Sequence, residues 1–275
     1  MSRIETLIVG AEPLAGPGWA TEPVSGSNKC ARTDSKSFLD IALRQAMLAS
    51  SESDVILLTD TERPSLPGLV QVPLSAHYAA AARFKKLYRH ASPNSYRYEL
   101  FCFTRWFYLL DFMRRHGTRR CCVFDTDIML FSSVERFVDA FGSHPAGNWS
   151  WANVISGVDV LDAICRHFER LFEDRKMFAG ITKKYTNVTD MGALWDFADR
   201  NPQILNQDYF PSIGFDNDIN LSHRDLFTMN DGIKSLTIGL DGVPVGKRTD
   251  GVRVPFHFLH FQGSAKALMP AFAWC

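Results

Sequence analysis

Two aspartates two residues apart, Asp125 and Asp127, follow the apolar run Arg120 to Phe124 (RCCVF) directly. Carboxylates at that spacing in an extended chain point to the same side. They repel each other unless a cation or a proton is shared between them. A divalent ion removes the conflict and keeps positions open for phosphate oxygens. The plainer reading is a pair of solvated loop acids. Position favours the metal, because the end of a strand is where an open α/β sheet places its ligand crevice. A second triplet, Asp216/Asp218, lies in an irregular stretch without that setting and is read as loop acids.

The other informative segment is His257-Phe258-Leu259-His260-Phe261-Gln262-Gly263-Ser264-Ala265-Lys266. A neutral imidazole at His260 suits a borderline metal such as Mn²⁺. Gly263 lets the backbone approach a bulky anion, and Lys266 brings a point charge to a phosphate. His257 is read as a core residue. Arg105 sits in an almost wholly apolar segment and therefore needs an acceptor. A diphosphate sugar or a pocket carboxylate would serve; the alternative is a helix-surface pair with Glu99 or Asp111. Asp190 begins the segment Thr189 to Asp199, where a carboxylate is favoured by the helix dipole. His77 and His90 are read as surface helix residues, and Trp149 and Trp151 as core.

These residues need elements to hold them. Tyr96 to His116 predicts a helix buried in the interior, capped by Gly117. Arg120 to Phe124 predicts the strand that delivers the acidic pair. Thr6 to Val9, Asp54 to Asp60 and Leu69 to Leu74 predict further strands, the second with the apolar run of a parallel strand covered on both faces. Helices are expected over Phe38 to Ala49, Ala76 to His90, Val134 to Phe141, Val158 to Asp174 and Thr189 to Asp199, the last with Thr189 as N-cap. Trp149 to Ser156 is expected to be extended and Gln207 to Asn230 irregular. Asp241-Gly242 predicts a hairpin within Leu236 to Val245. Val252 to Phe261 reads as one late strand, with Pro255 placing it at an edge, and Ala265 to Phe272 as a closing helix. Ala11 to Lys36 reads as a long loop. Helix, Gly-containing turn, strand and acids in that order make an α/β crossover unit.

The bulk numbers limit the possibilities. A chain of 275 residues at 46% hydrophobic composition can bury one sizeable α/β core. Lys plus Arg and Asp plus Glu are 30 each, so the chain lacks the basic footprint of a general nucleic-acid binder. The six cysteines form no C-x-x-C pair and are read as reduced core thiols. Met1 to Gly10 is too short an apolar stretch for a signal peptide, and no transmembrane run occurs. The expectation is a cytoplasmic protein, either free or docked at the inner face of the membrane through a partner.

The order of helix with Arg105, strand, Asp125-x-Asp127 and late His260-Phe-x-Gly263-x-x-Lys266 resembles the retaining GT-A glycosyltransferases. Within them it is similar to the glycogenin and bacterial lipopolysaccharide galactosyltransferase group. The resemblance implies a GT-A fold: one Rossmann-like α/β domain over 1–275, with a mostly parallel central sheet flanked by helices. It implies a nucleotide-binding part over about 1–131, an acceptor-side part over about 132–255 and a metal and phosphate segment over 256–275. Asp125, Asp127 and His260 would hold Mn²⁺ (or Mg²⁺). Gly263 and Lys266 would bind the diphosphate of a donor, with UDP-sugar the commonest in that group. Arg105, Asn153 and Asp190 would contact the donor sugar. The implied acceptor is a glycan, a lipid-linked glycan or another molecule. Two other readings stay open: a non-catalytic nucleotide-sugar-binding module, and a phosphohydrolase of the haloacid dehalogenase class. The latter needs its acidic pair on the first core strand. A nucleotide-sugar pyrophosphorylase would carry a Gly-rich signature that the N-terminal region lacks.

Overall fold

The structure is a computed structural model that describes residues 5–9, 35–50, 53–61, 66–140, 146–149, 152–206, 214, 218–222 and 225–274. Most of the Ala11 to Lys36 segment, Cys30, Asp216, Cys275, Trp151 and the side chain of Trp149 lie outside the described residues.

The first half of the chain builds a sheet from its inside out to one edge. Strand β1 (Glu5–Val9) is followed by helix α1 (Ser35–Ala49), then β2 (Asp54–Leu58) and β3 (Leu69–Val72). β1 pairs in parallel with β2, and β2 with β3. Four of the five β2 residues are buried, as expected for a strand covered on both faces. A 3₁₀ stretch over Leu74–Ala81 leads into α2 (Ala82–Leu87) and then α3 (Tyr96–His116). Helix α3 starts where Ser95 accepts the N–H of Tyr98 and stops where Gly117 turns left-handed at φ 65°. The chain returns to the sheet as β4 (Cys121–Phe124), on the other side of β1 and parallel to it.

After β4 the sheet changes direction. Strand β5 (Ile128–Leu130) leaves it, and α4 (Val134–Ala140) leads to β6 (Ala146–Trp149) and β7 (Ala152–Ile155). β7 pairs antiparallel with both β4 and β6. Helices α5 (Val158–Glu173), α6 (Arg175–Tyr185) and α7 (Asp190–Arg200) precede β8 (Leu205–Asn206), which closes the sheet in the order β3-β2-β1-β4-β7-β6-β8. The expectation of a mostly parallel sheet flanked by helices therefore holds; β7 alone runs antiparallel to its neighbours, and β6 and β8 beyond it pair in parallel. The interior between the sheet and α2, α3 and α5 is aromatic: the rings of Phe84, Phe103, Phe107 and Phe172 lie in mutual contact around Phe84. Four cysteines, Cys102, Cys121, Cys122 and Cys165, are buried free thiols, with Cys122 on the opposite face of the sheet from Cys121.

The C-terminal part forms small antiparallel pieces: β9 (Met229–Asn230) with β10 (Ile233–Lys234), and β11 (Leu236–Ile238), β12 (Pro244–Lys247) and β13 (Arg253–Pro255) as a three-stranded sheet. The predicted hairpin at Asp241-Gly242 joins β11 to β12, with Gly242 at φ 79°. The single late strand is corrected. Val252 to Phe261 splits into β13 and β14 (Phe258–His260), which belong to different sheets. Pro255 donates no N–H, and the chain turns after it; β14 then pairs with β5. A 3₁₀ turn over Gly263–Leu268 and α8 (Met269–Phe272) end the described chain.

Three further differences concern the helical segments. Leu74–Ala81 is 3₁₀, not α, although the segment is alanine-rich. His77 within it is 1% exposed, not a surface residue, because its Nδ1 meets Asp111 at 2.8 Å across the face of α3. Helix α6 was not foreseen, yet Asp174 caps it by accepting the N–H groups of Lys176 and Met177, a signal present in the sequence.

A buried histidine on α5 sets a pH dependence. His167 packs edge-on against Phe197, and its Nε2 lies 3.3 Å from Asp196. Burial is the main cause that pushes its pKa down to about 4 from 6.5, with Asp196 opposing. The folded state thus binds this proton less readily than the unfolded chain. Its stability contribution is full above pH 6.5 and is lost as pH falls toward 4. Across that window His167 accounts for at most about 3 kcal/mol. Urea unfolding at pH 7 and pH 4.5 should show a smaller loss for His167→Gln than for the parent chain. An equal loss for both would mean that His167 is not neutral in the folded state.

Candidate active site at the end of β4

The acidic pair is placed by two independent devices. The first is β4, the central strand of the sheet and buried at all four residues, which releases the chain at its C-terminal end as Asp125. The turn closes with the Ile128 N–H on the Asp125 carbonyl at 3.1 Å. The second is the β5–β14 ladder. His260 pairs with Ile128, and the Phe261 N–H donates to the Asp127 carbonyl at 2.9 Å. That register sets the His260 Nε2 at 3.5 Å from Asp127 Oδ1. The 3₁₀ turn that follows brings Lys266 Nζ to 3.1 Å from Asp127 Oδ2. Gly263 begins that turn at φ 59°, with nothing within 4 Å of where a side chain would start. Its backbone is therefore open to a ligand.

Asp125 is held from the opposite side. Arg105, 8% exposed in the middle of α3, donates from Nη1 to Asp125 at 2.7 Å and from Nη2 to Asp190 at 3.1 Å. The sequence expectation that this arginine needs a buried acceptor is met twice, and neither Glu99 nor Asp111 is the partner. Asp190 opens α7, whose N-cap Thr189 accepts the Gly192 N–H at 3.1 Å. Its Oδ2 also accepts from the Trp106 indole at 3.4 Å, and its Oδ1 from the Met191 N–H at 2.9 Å.

Glu99 entered the sequence reading only as a helix-surface partner for Arg105, and its part in the site was missed. It is 1% exposed and accepts from Ser92 Oγ and Asn94 Nδ2, both at 2.8 Å, and from the Asp190 N–H at 3.1 Å. It ties the segment before α3 to the start of α7 and so fixes Asp190 in front of Arg105. Its position six residues before Arg105 gave no helical-face signal; the link exists only through α7.

The charges respond to this packing. Burial pushes the Asp125 carboxyl up, and Asp127 adds to that, so it ionises above its ordinary value despite Arg105. Burial acts on Asp127 as well, but the contacts with His260 and Lys266 hold it below its ordinary value. Two neighbouring acids with pKa values driven apart are a common mark of a binding or catalytic centre. Among the described residues, no three His, Cys, Asp or Glu side chains converge as a ready-made ligand set. Asp125 is turned to Arg105, while Asp127 is engaged by His260 and Lys266.

A cavity of about 70 Å³ opens beside this cluster, lined in part by Arg105, Asp125, Asp190, Cys102, Tyr98 and Met191. A larger crevice of about 540 Å³ lies at the C-terminal ends of β2 and β3, around Thr59, Asp60, Gln71 and Ser75, and contains none of the predicted site residues. The buried ion pairs of Arg105 with Asp125 and Asp190 lie at the smaller cavity and not at the crevice. Asn153 is not among its lining residues. It is buried in β7 opposite Val123, one register step in from the end of β4. His257 is half-buried with Nδ1 2.9 Å from Ser132 Oγ. Asp218 accepts the Asn220 N–H, as a loop acid does. The acids follow β4 and not the first core strand, which is the position the haloacid dehalogenase reading required.

No protein-family model matches the chain, and no curated protein matches it. Solved structures similar to it are glycosyltransferases. Mouse xyloside xylosyltransferase 1 is 8% identical, with 78% of this chain and 87% of that chain covered at a TM-score of 0.48. The galactosyltransferase LgtC, solved with donor and acceptor sugar analogues, is 11% identical, with 98% and 94% covered at 0.45. The glycosyltransferase GlyE of Streptococcus pneumoniae is 11% identical, with 80% of this chain and 47% of that chain covered at 0.34. At these identities and scores each likeness is one of chain path and says nothing of what this chain binds.

Arg105 is itself buried and is the counter-charge for buried Asp190 and part-buried Asp125. Arg105→Met should therefore cost about 3–5 kcal/mol, the scale of breaking a buried pair from one side. Urea unfolding measures it; a loss below about 1 kcal/mol would show that the acids do not depend on Arg105.

Proposed function

We propose that this chain is a metal-dependent glycosyltransferase of the GT-A type, which moves a sugar from a nucleotide-diphosphate donor, with UDP-sugar the first candidate, to an acceptor with retention. The observation that supports this most is the convergence of three distant segments, α3, the start of α7 and the stretch from β14 to Lys266, on the end of β4. Arg105 lies on Asp125 and Asp190, while His260 and Lys266 lie on Asp127.

The donor set fits a divalent cation such as Mn²⁺. Two carboxylates and an imidazole are ligand types that such an ion accepts, and Asp127 is balanced by Lys266, an exposed cation that a ligand could displace. A cation held by Asp125, Asp127 and His260 would supply Lewis-acid stabilisation to the departing diphosphate. The side chains do the rest. Lys266, with its side chain 40% exposed, can swing from Asp127 to a phosphate oxygen and give a charge-assisted hydrogen bond. The open backbone at Gly263 admits the phosphate beside it. Arg105 and Asp190 present fixed donors and acceptors to the sugar hydroxyls, with Glu99 holding Asp190 in register. In the transfer, the bond from the anomeric carbon to the phosphate oxygen breaks and a bond to the acceptor oxygen forms. The acceptor proton passes to the leaving phosphate, which stays on the same face of the sugar. Orientation and preorganised charge supply the rate enhancement.

Asp125→Ala and Asp127→Ala should each lower donor hydrolysis and transfer at least about 10²-fold. EDTA should abolish the activity and Mn²⁺ restore it. Nucleotide sugars that turn over unchanged in EDTA would remove the metal from this reading. For Lys266→Ala, calorimetry should show a weaker hold on a nucleoside diphosphate with little change for the bare nucleoside. Equal losses for both would count against a phosphate contact.

A further inference from the structure

The tip of the β11–β12 hairpin carries the most exposed large apolar side chain among the described residues. Leu240 is fully in solvent at 111% exposure, and no other exposed large apolar residue passes 53%. Ile238, at 52%, ends β11 two residues before it. Half-exposed apolar residues standing singly are ordinary on a protein surface. Leu240 is different, because the turn does not need it: Asp241 and Gly242 already supply the hairpin chemistry.

The tip rests on a fixed backbone. The Gly239 N–H donates to the Val243 carbonyl at 2.8 Å, and the Gly242 N–H to the Gly239 carbonyl at 3.0 Å. The Asp241 carboxylate is engaged within the loop, where it accepts the Val243 N–H at 3.1 Å. Behind the loop, the Trp274 indole donates to the Gly242 carbonyl at 2.9 Å, and the Trp274 N–H donates to Gln45 at 2.9 Å. Leu240 is thus held outward as a rigid point with a half-exposed tryptophan at its base.

Cations gather on the sheet behind this point. Lys247 and Arg253 are exposed and stand directly opposite each other across β12 and β13, a placement that like charges disfavour. Neither meets a carboxylate among the described residues. Arg253 donates instead to Thr237 Oγ1 at 2.8 Å. Thr237 is on β11, so the arginine side chain crosses β12 and ends beside the neighbour of Ile238. A partner for this surface is apolar within and anionic at its face. Two aliphatic side chains fall far short of the ~800 Å² per partner that a stable protein interface buries. A bilayer asks for less: a small apolar wedge, an interfacial tryptophan and basic residues at the level of the headgroups.

We propose that the β11–β12 hairpin docks this chain on a lipid surface that bears anionic headgroups. Leu240 and Ile238 enter the acyl boundary, while Lys247 and Arg253 lie on the headgroup phosphates. Attachment is reversible and weakens with salt, since a single apolar wedge is too weak to hold without the electrostatic contribution. The inference is independent of the glycosyl-transfer reading, because none of these residues belongs to the cluster at the end of β4.

The test is co-sedimentation of the full chain with vesicles of phosphatidylcholine, alone or mixed with phosphatidylglycerol. The parent chain should sediment with the mixed vesicles at low salt and less at high salt. Leu240→Asp should weaken this binding at least about tenfold through lost apolar insertion. Lys247→Gln and Arg253→Gln should each weaken it about fivefold. Urea unfolding checks that every variant is folded; Leu240→Asp should match the parent, because Leu240 is wholly exposed. With brominated acyl chains, the fluorescence of Leu240→Trp should be quenched more than that of the parent. No sedimentation of the folded parent chain with either vesicle, or equal sedimentation of Leu240→Asp, would overturn the proposal. So would binding to phosphatidylcholine alone as tight as to the mixture. A parent chain that is dimeric without vesicles and made monomeric by Leu240→Asp, with no vesicle binding, would put a second copy at the tip and end the lipid assignment.

Discussion

A single guanidinium in the interior of α3 holds the architecture of the site together. Arg105 pairs with Asp125 from the end of the central strand β4 and with Asp190 from the start of α7. An unpaired charge at that depth costs more than an apolar core can repay, so the three groups must arrive together or not at all. That requirement fixes the position of α3 against β4 and brings the start of α7 across to meet it. Burial acts to lower the Arg105 pKa, yet the two carboxylates outweigh it, so the arginine remains charged.

Asp127 is served by different means. Its partners come from the other end of the chain through the short antiparallel ladder of β5 and β14. Backbone hydrogen bonds set that register, so His260 and Lys266 are aimed by main-chain geometry. The acidic pair is thus split: Asp125 answers to a helix and Asp127 to a ladder, and each has its own cation. In this arrangement the repulsion between neighbouring carboxylates is compensated within the protein. A site built this way can exchange an internal cation for an external ligand with little change in backbone.

Mobility and rigidity are divided along the same line. Arg105 and Asp190 are buried and held by several bonds each, which suits groups that orient a ligand. Lys266 is exposed along much of its stem and makes one long contact, which suits a group that follows a ligand. Gly263 adds an open backbone position beside it.

The sequence alone determined much of this. The 21-residue helix Tyr96–His116 was legible to its ends, because Ser95, the apolar run and Gly117 act locally. The strand before Asp125, the N-cap at Thr189 and the hairpin at Asp241-Gly242 were legible for the same reason. The need of Arg105 for an acceptor also followed from its surroundings in the chain. Tertiary structure decided which acceptors it found, since nothing in local spacing links Arg105 to Asp190, 85 residues away. It decided that Val252 to Phe261 breaks into two strands, because β14 is drawn to β5 by a long-range ladder. It decided that His77 is buried against Asp111, and that Glu99 serves the start of α7. Local propensity is written residue by residue along the chain, whereas the pairing of buried charges depends on which elements the fold makes neighbours.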